Sequence, residues 1–458
     1  MTLGEFEQEV ERLRKENDEL RRENAGLREQ LQKVLKEVEE WKRGHRERSK
    51  RRCSRPEGHP RPERKRPGRK PGHTGAFRPV PKPDREETHP PPDRCECGGH
   101  VELIGEIEST IVQDIPVVKP ESVGHIAPVG VCDRCGKRHV APLPGAVQAG
   151  QSVAKVQIGP NAQALIISLR FDYRMPMQGI SAVMGEWFGL SITPGGVSQL
   201  LDRTRTWSVA SYVEIQTRVR ESAVVGMDET GLRQDGATGW AWLARTRQAS
   251  LFRLEPSRAT WVAEAMLGEG FVGVLCTDFY SVYTAREDWK HAYCGGHLVR
   301  EVKKIAEVSP SPLTVGFRDE IQAWYVAAKR AQTAGTNRTR LRLCDKLGQI
   351  IARPDSDPAD VLRICARIEE HCDGIVEFMF NPAVAADNNA SERDIRCLAV
   401  FRKVTGGTRS INGSQTVGHW MSIAQTLRKN GLPLRDYVVG LNLSHLSGRA
   451  PPSVFASN

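Results

Sequence analysis

Two acidic residues each follow an apolar run of the kind that forms a buried strand. Asp228 follows "SAVVGM" and Asp278 follows "FVGVLCT". Between them, "GWAWLAR" and "ASLFRLEP" predict two more strands, and residues 259–268 predict a helix. When three antiparallel strands are followed by a helix and a parallel strand, the first and fourth strands can be neighbours in the sheet. We therefore expect Asp228 and Asp278 to lie side by side at one edge of the sheet.

A third acid is needed if these two carboxylates hold metal ions. Carboxylates held close together repel, and one takes up a proton unless a cation intervenes. Two divalent cations, Mg²⁺ or Mn²⁺, would keep both ionised and clamp the attacking and leaving oxygens of a phosphodiester. A helix predicted over residues 388–397 supplies Glu392, because Asn388, Glu392 and Arg396 recur at i, i+4 and i+8 on one face. The alternatives are that Glu392 only pairs with a surface arginine and that each aspartate is a turn residue.

The order of these elements is typical of a ribonuclease H-like α/β domain, which we predict over residues 220–408. "HAYC" predicts a further strand of the sheet, and a helix from His297 follows it. Residues 150–218 predict a helical block before this domain. Within the block, "QGISAVMGEWFGLSITPGGVSQLLDR" is typical of a helix-turn-helix whose second helix starts near Thr193 and Pro194. Whether this helix pair reads DNA or only packs is left open.

The N-terminal segment has the heptad repeat of a parallel coiled coil, predicted over residues 1–42. Over residues 3–41, the a and d positions hold only apolar residues and asparagine, and asparagine at a favours a two-stranded parallel coil. Glutamates at g positions precede cationic e positions of the next heptad, which is attractive across a parallel pair. We predict a homodimer or larger assembly through residues 3–41. The alternative is a single helix that packs on the body of the protein.

Residues 43–94 form a basic linker interrupted by proline and glycine, a composition that excludes a long helix and a core. The whole chain of 458 residues has a formal net charge of +10, which favours a polyanionic partner. We predict that the linker contacts DNA phosphates, with a solvated linker as the alternative. The predicted contacts are Arg64, Lys65, Arg66, Arg69 and Lys70.

Residues 95–140 carry two groups of cysteines with the spacing of a small zinc-ribbon-like module. "CDRCGKRH" places Cys132 and Cys135 as in a zinc knuckle, with glycine next. In "CECGGH", one residue separates Cys95 from Cys97, so His100 could replace a thiol. We predict a structural Zn²⁺ held by the four cysteines, leaving open whether Cys95 or His100 completes the site; free thiols are the alternative. Strand-like runs between the groups, such as "TIVQDIPVV", indicate a ribbon that needs metal because it lacks a core.

Several motifs together resemble the transposases of the insertion sequence 66 family, which belong to the DDE group. They are "RKPGHTG", "DETG", "TDFYSVY", "CGGHLVRE", "DNNASERDIR" and "FRK", so the resemblance covers nearly the full chain. It implies that Asp228, Asp278 and Glu392 are the catalytic triad. It also implies that a helical insertion at about 305–380 interrupts the domain and that a helical tail, residues 409–446, follows. The activity implied is Mg²⁺-dependent nicking at the 3′ ends of a mobile element and joining of these ends to target DNA.

Basic residues near the three acids are predicted to contact DNA phosphates. They are His297, Arg300, Arg393, Arg396, Arg402 and Lys403. A structural role is an equal alternative for the first two. The chain departs from its relatives at Gly295 and Gly296, where a tryptophan usually follows the cysteine, and at "FRKVTGG", which replaces a more aromatic continuation. Both departures concern contacts to the DNA ends rather than the triad.

The predicted partners are double-stranded DNA, both element ends and target, and a second copy of the chain. A need for accessory proteins of the same element is left open. No run approaches the roughly 20 apolar residues of a membrane span, and the N-terminus is charged. We therefore expect no membrane partner and a bacterial cytoplasmic, nucleoid-associated location. Two other functions compete: a catalytically silent DNA-binding regulator, whose three acids would share no site, and a nuclease that cuts without joining.

Overall fold

The computed structural model describes residues 79–116, 118–140 and 157–456, together with Lys15 and Gly26. Within these ranges, the chain forms helices and the strands of a mixed five-stranded sheet. None of the helices described there is both long and apolar enough to cross a lipid bilayer.

The chain divides into two units, Met1–Gln113 and Asp114–Asn458. In the first unit, residues 79–113 contain neither a helix nor an extended ladder of strands. The second unit begins with an antiparallel hairpin of two short strands, β1 (Val129–Val131) and β2 (Arg138–Val140). The remaining elements of the second unit carry all three candidate acids.

Four helices precede the main sheet, in the region where the sequence predicts a helical block. The predicted start of the second helix of the helix-turn-helix is confirmed, because Pro194 is its first residue. Thr193 caps this helix by accepting a hydrogen bond on Oγ1 from the N–H of Gly196 at 3.1 Å. The four helices are α1 (Pro160–Phe171), α2 (Met177–Phe188), α3 (Pro194–Trp207) and α4 (Val209–Arg220).

The main sheet has five strands in the spatial order β5-β4-β3-β6-β7. β3, β4 and β5 are antiparallel, whereas β6 and β7 run parallel to β3, so the predicted contact between the first and fourth strands is confirmed. Asp235 and Gly236 join β3 to β4 with positive φ of 48° and 75°, as in the two-residue turns that match strand twist. The strands are β3 (Val224–Gln234), β4 (Ala237–Arg245), β5 (Ser250–Glu255), β6 (Val274–Thr277) and β7 (Lys290–Tyr293).

Helices follow the parallel strands β6 and β7, and their apolar side chains form a second hydrophobic core. α5 (Thr260–Leu267) leads into β6, and the short α6 (Ser281–Thr284) follows it. The segment predicted to be helical, about 305–380, is helical throughout most of its length. Its apolar side chains pack with those of β6 and β7, separately from the core around β3, β4 and β5. These helices are α7 (Gly295–Val308), α8 (Pro312–Ala334), α9 (Asn337–Ile351), α10 (Ala359–Glu370) and α11 (Cys372–Phe380).

Three helices close the fold: α12 (Asn389–Thr405), α13 (Ile411–Lys429) and α14 (Leu434–Leu446). α12 is longer than the predicted 388–397, because no breaker intervenes before Gly406, whose φ of 73° ends it.

α13 covers the outer edge of β5, whose backbone would otherwise lack partners on that side. The hydroxyls of Ser422 and Thr426 accept hydrogen bonds from the N–H groups of Phe252 at 2.8 Å and Ser250 at 3.1 Å. Because Ser422 and Thr426 are four residues apart, they lie on the same face of the helix. The helical tail is therefore packed against the sheet that carries the candidate acids.

Candidate active site

β3 and β6 bring Asp228 and Asp278 to neighbouring positions. Their parallel register pairs Gly226 with Cys276, and the same register continued by two residues places Asp228 beside Asp278. Asp278 directly follows β6, as predicted. Asp228 is not at the end of its strand, contrary to expectation. β3 continues to Gln234 because it still pairs with β4 beyond the point where β6 ends.

The electrostatics of Asp228 indicate a cluster of acids. Burial raises the pKa of Asp228 to about 7, and the charges of Glu229, Asp278 and Glu392 contribute to this increase. The N–H of Glu229 donates to Asp228 Oδ1 at 2.9 Å and opposes the shift. The N–H of Tyr280 donates to Asp278 Oδ1 at 3.0 Å. The negative charges of residues on β3, in the loop after β6 and on α12 therefore all act on Asp228.

Asn388 fastens the start of α12 to β3. It lies just before the helix rather than on it, and it is 5% exposed. Its Nδ2 donates to the carbonyl of Met227 at 2.8 Å, and its N–H donates to Cys294 Sγ at 3.0 Å. Gly226 permits this approach, because a Cβ there would lie 2.5 Å from Ser391 Oγ. Asn388 therefore fixes α12, and with it Glu392, next to the strand that carries Asp228.

Glu392 is engaged by α7. Arg300 Nη2 donates to Glu392 Oε1 at 2.6 Å, and His297 Nε2 lies 3.6 Å from the same oxygen. Burial and the charge of Arg300 lower the pKa of His297, while Asp278 and Glu392 oppose that change. The neutral ring is thus favoured near neutral pH. Both interpretations of Glu392 therefore have a basis in the structure, since it belongs to the acid cluster and also forms an ion pair.

A buried acid that the sequence did not single out adjoins Asp228. The side chain of Glu229 is 4% exposed, and Arg258 donates to its Oε1 through Nε at 3.1 Å and Nη2 at 2.5 Å. The hydroxyl of Tyr283 donates to Oε2 at 2.5 Å. The sequence signals were the adjacent acid in "DETG" and the position of Tyr283 at the end of "TDFYSVY", whereas Arg258 lies outside every motif.

The predicted DNA contacts on α12 divide into two groups. Arg393, Arg396 and Lys403 are exposed, and among the residues that the structure describes none of the three forms an ion pair. Arg402 instead turns toward β3, where it donates to the hydroxyl of Thr230 at 3.1 Å and to a neighbouring carbonyl. The exposed cations can meet phosphates, whereas Arg402 also holds the helix on the sheet.

Comparison with known proteins assigns a family to this arrangement. The family model described as "Transposase IS66 family" matches residues 155–416, more than half of the chain, and this span includes all three acids. The chain belongs to the IS66 transposase family. It is 22% identical over 373 residues to the uncharacterized protein y4jD of Sinorhizobium fredii (strain NBRC 101917 / NGR234), covering 73% of this chain and 71% of that one. It is 23% identical over 150 residues to the uncharacterized protein y4jO of the same strain, covering 32% and 46%.

Two glycines in the segments identified from the sequence as departures, Gly295 and Gly407, have packing reasons. A Cβ on Gly295 would lie 2.4 Å from Tyr325 Cε2, so the ring of Tyr325 occupies the space beside the start of α7. Gly407 has a φ of 108°, and a Cβ there would lie 2.2 Å from the carbonyl oxygen of Arg233. These glycines let neighbouring segments approach the sheet.

The cysteines of the predicted zinc module form two tight turns. Backbone hydrogen bonding at Gly99, and then the thiol of Cys95, lower the pKa of Cys97. Backbone N–H groups at Cys135 and Arg134 likewise lower the pKa of Cys132. This is the environment in which thiolates form.

The prediction that "TIVQDIPVV" forms part of a ribbon between the two cysteine groups is wrong, because residues 110–116 contain no strand. No neighbouring described strand pairs with them, and Val112 and Ile115 remain 84% and 76% exposed. Strands need such partners to satisfy their backbone groups.

Some predictions lie outside the described residues. They are the coiled coil over residues 3–41 and the linker contacts Arg64, Lys65, Arg66, Arg69 and Lys70.

In the described ranges, no three His, Cys, Asp or Glu side chains are gathered tightly enough to hold a metal ion as they stand. In this structure Arg300 occupies one carboxylate oxygen of Glu392.

Proposed function

We propose that this IS66-family transposase nicks the 3′ ends of a mobile element and joins them to target DNA, using Asp228, Asp278 and Glu392 in a ribonuclease H-like domain. The observation that carries the proposal is the register of β3 and β6, which puts Asp228 beside Asp278, together with the contact of Asn388 with Met227, which holds the helix of Glu392 against β3. Acids with separate structural roles would have no reason to share these positions. A regulator whose acids share no site is correspondingly disfavoured.

The donor set fits a divalent cation. Carboxylate oxygens are the ligands that Mg²⁺ and Mn²⁺ prefer, and the mutual repulsion around Asp228 is what a cation relieves. Asp228 and Asp278 would hold it, and Glu392 would join them by exchanging its contact with Arg300. Two such ions, when bound, would supply an activated water and stabilise the departing 3′ oxygen.

The protein's own residues would orient the reacting DNA. Arg393, Arg396 and Lys403 extend from the helix that carries Glu392, so their charges can hold phosphates on the side of the acids. Arg300, once released from Glu392, would offer a further guanidinium to the same backbone. The 3′ hydroxyl freed by the first cut is itself the nucleophile for joining. No covalent protein intermediate is then required.

Cleavage by Glu392→Gln is the test of the third acid. Duplex DNA carrying the element ends is incubated with Mg²⁺, and cutting and binding are measured on the same preparations. E392Q should bind DNA and fail to cut it. Glu301→Gln is the matched control, because Glu301, on α7, is also a paired acid but contacts Arg363 and Arg367 rather than Arg300. Cutting by E392Q at the wild-type rate would remove Glu392 from the proposal.

A pre-cut end with a free 3′ hydroxyl separates a transposase from a nuclease. The wild type should join this end to a second duplex without any prior cleavage. Cleavage of intact ends together with no joining of pre-cut ends would favour the nuclease alternative.

We also propose two further parts of the assembly that the sequence predicts. Residues 3–41 would pair two copies of the chain, which suits a reaction on two DNA ends. Cys95, Cys97, Cys132 and Cys135 would hold a structural Zn²⁺, with His100 as the substitute for Cys95. Loss of zinc content in Cys132→Ser, measured by elemental analysis, tests the second part.

A further inference from the structure

Glu229 lies beside Asp228 in sequence but is fully engaged by protein groups. One carboxylate oxygen accepts two hydrogen bonds from Arg258, and the other accepts one from Tyr283. With its side chain 4% exposed, no oxygen is open to solvent or to a ligand. Glu229 is therefore excluded as a metal ligand, and its partners indicate what it does instead.

Arg258 is held between two aromatic rings. Its guanidinium carbon lies 4.3 Å from the ring centroid of Trp240 on β4 and 3.8 Å from that of Tyr280. A guanidinium stacked on aromatic faces is fixed in orientation as well as attracted by the rings. Arg258 thus connects β3, through Glu229, with the loop after β6, through Tyr280.

The same two residues orient the candidate acids through their backbones. The N–H of Glu229 donates to Asp228 at 2.9 Å, and the N–H of Tyr280 donates to Asp278 at 3.0 Å. Each carboxylate is therefore oriented by a residue whose side chain contacts Arg258. A shift of the guanidinium would move both N–H donors relative to each other.

We propose that Arg258 is a positioning residue that sets the distance between the carboxylates of Asp228 and Asp278 through Glu229 and Tyr280. Tyr283 completes the arrangement, because its hydroxyl fixes the oxygen of Glu229 that Arg258 does not reach. The role rests on the proposed function, since it concerns how well the two acids are arranged for a divalent cation. Arg258 itself touches neither acid.

Mn²⁺ binding to the full chain measures this arrangement without relying on catalysis. Free Mn²⁺ is followed by its electron paramagnetic resonance signal. The Mn²⁺ that the wild type binds and Asp228→Asn does not is assigned to the site of Asp228 and Asp278. In Arg258→Gln, the dissociation constant of that binding should rise about tenfold or more, as for other residues that orient metal ligands. In DNA cleavage, the Mn²⁺ concentration for half-maximal rate should rise by the same factor. At saturating Mn²⁺ the rate should return to within about threefold of the wild type.

Arg286→Gln is the matched control. Arg286 also stacks on an aromatic ring, with 4.8 Å to the centroid of Trp289, and pairs with Glu264 and Asp288. Its side chain is 30% exposed against 36% for Arg258. R286Q should lower the melting temperature without changing the Mn²⁺ dissociation constant. Equal Mn²⁺ affinities in R258Q and R286Q would overturn the proposal.

Tyr283→Phe keeps the test decisive if R258Q does not fold. It removes a single hydroxyl, and it should raise the Mn²⁺ dissociation constant several-fold. If R258Q does not fold and a folded Y283F has the wild-type Mn²⁺ dissociation constant, the positioning role is overturned. If the wild type binds no Mn²⁺ that D228N abolishes, the proposed function fails, and this role fails with it. If such binding exists and R258Q leaves it unchanged, only the positioning role is wrong.

Discussion

Replacing Gly226 by alanine should separate α12 from β3 and so move Glu392 away from the two aspartates. The new Cβ would lie 2.5 Å from Ser391 Oγ, whereas ordinary contact begins at 3.4 Å, so the two must separate by roughly 0.9 Å. Overpacking of a core in this way costs about 1–3 kcal/mol. A misplacement of about 1 Å at an active site can cost about 100-fold in rate. We therefore expect a folded G226A protein with a modestly lower free energy of unfolding and cleavage reduced by about two orders of magnitude.

The assay pairs thermal unfolding with Mg²⁺-dependent cleavage at saturating DNA. Gly231→Ala is the control on the same strand, because its Cβ would meet only Arg402 Nη1, at 3.9 Å. G226A/S391A removes the hydroxyl that causes the clash and should recover part of the lost rate. Wild-type cleavage by a folded G226A would refute the reasoning, since the site would then not depend on how closely α12 approaches β3.

Three further predictions concern the elements that support the site. Burial lowers the pKa of His419 to about 3, so from about pH 6.5 down to 3 the unfolded chain binds a proton that the folded chain does not, and stability falls as pH falls. In His419→Gln the free energy of unfolding should fall less steeply as pH falls, by up to about 1.4 kcal/mol per pH unit. Urea unfolding at several pH values measures this slope. Ser422→Ala should cost about 1–3 kcal/mol in the free energy of unfolding, because the buried N–H of Phe252 loses its acceptor. Gly295→Ala should cost about 1–3 kcal/mol, because its Cβ would lie 2.4 Å from the ring of Tyr325, and Gly295→Ala with Tyr325→Leu should recover part of the loss.

Each of these predictions has an outcome that contradicts it. An identical slope of stability against pH in H419Q and the wild type would mean that another group titrates. Ser444→Ala, at a half-buried position on α14, is the control for S422A, and equal losses in the two would argue against covering of the β5 edge. For Gly295, unchanged unfolding of the single variant would show that Tyr325 moves aside freely.

The sheet and its two aspartates could be predicted because each depends on local pattern. Apolar runs identified the strands, and their order indicated that β3 and β6 are neighbours. Thr193 and Pro194 marked a helix start through cap chemistry that operates within a few residues. What the pattern could not give was the extent of β3, since only pairing with β4 carries that strand beyond Asp228.

The supporting residues of the site could not be predicted, because their roles come from partners distant in sequence. Arg258 lies in a connecting loop, and nothing local indicates that its guanidinium meets Glu229 on another strand. Asn388 is predicted only as the first residue of a helix, and nothing local indicates that its amide is buried against Met227. Arg402 reads as a DNA contact because of its charge, whereas part of its hydrogen-bonding capacity is used by β3. A guanidinium can donate to a strand carbonyl or to a phosphate, and the sequence does not distinguish the two.

The most direct measurement of the central claim compares single and triple removal of the acids. Mg²⁺-dependent cleavage is measured for D228N, D278N, E392Q and the triple variant, with Asp288→Asn as a control acid outside the cluster. Groups that act as one unit are not additive. Each single variant should therefore fall to the residual cleavage of the triple variant, while D288N cleaves like the wild type. If the single losses are small and multiply to give the triple loss, the three acids do not form one site.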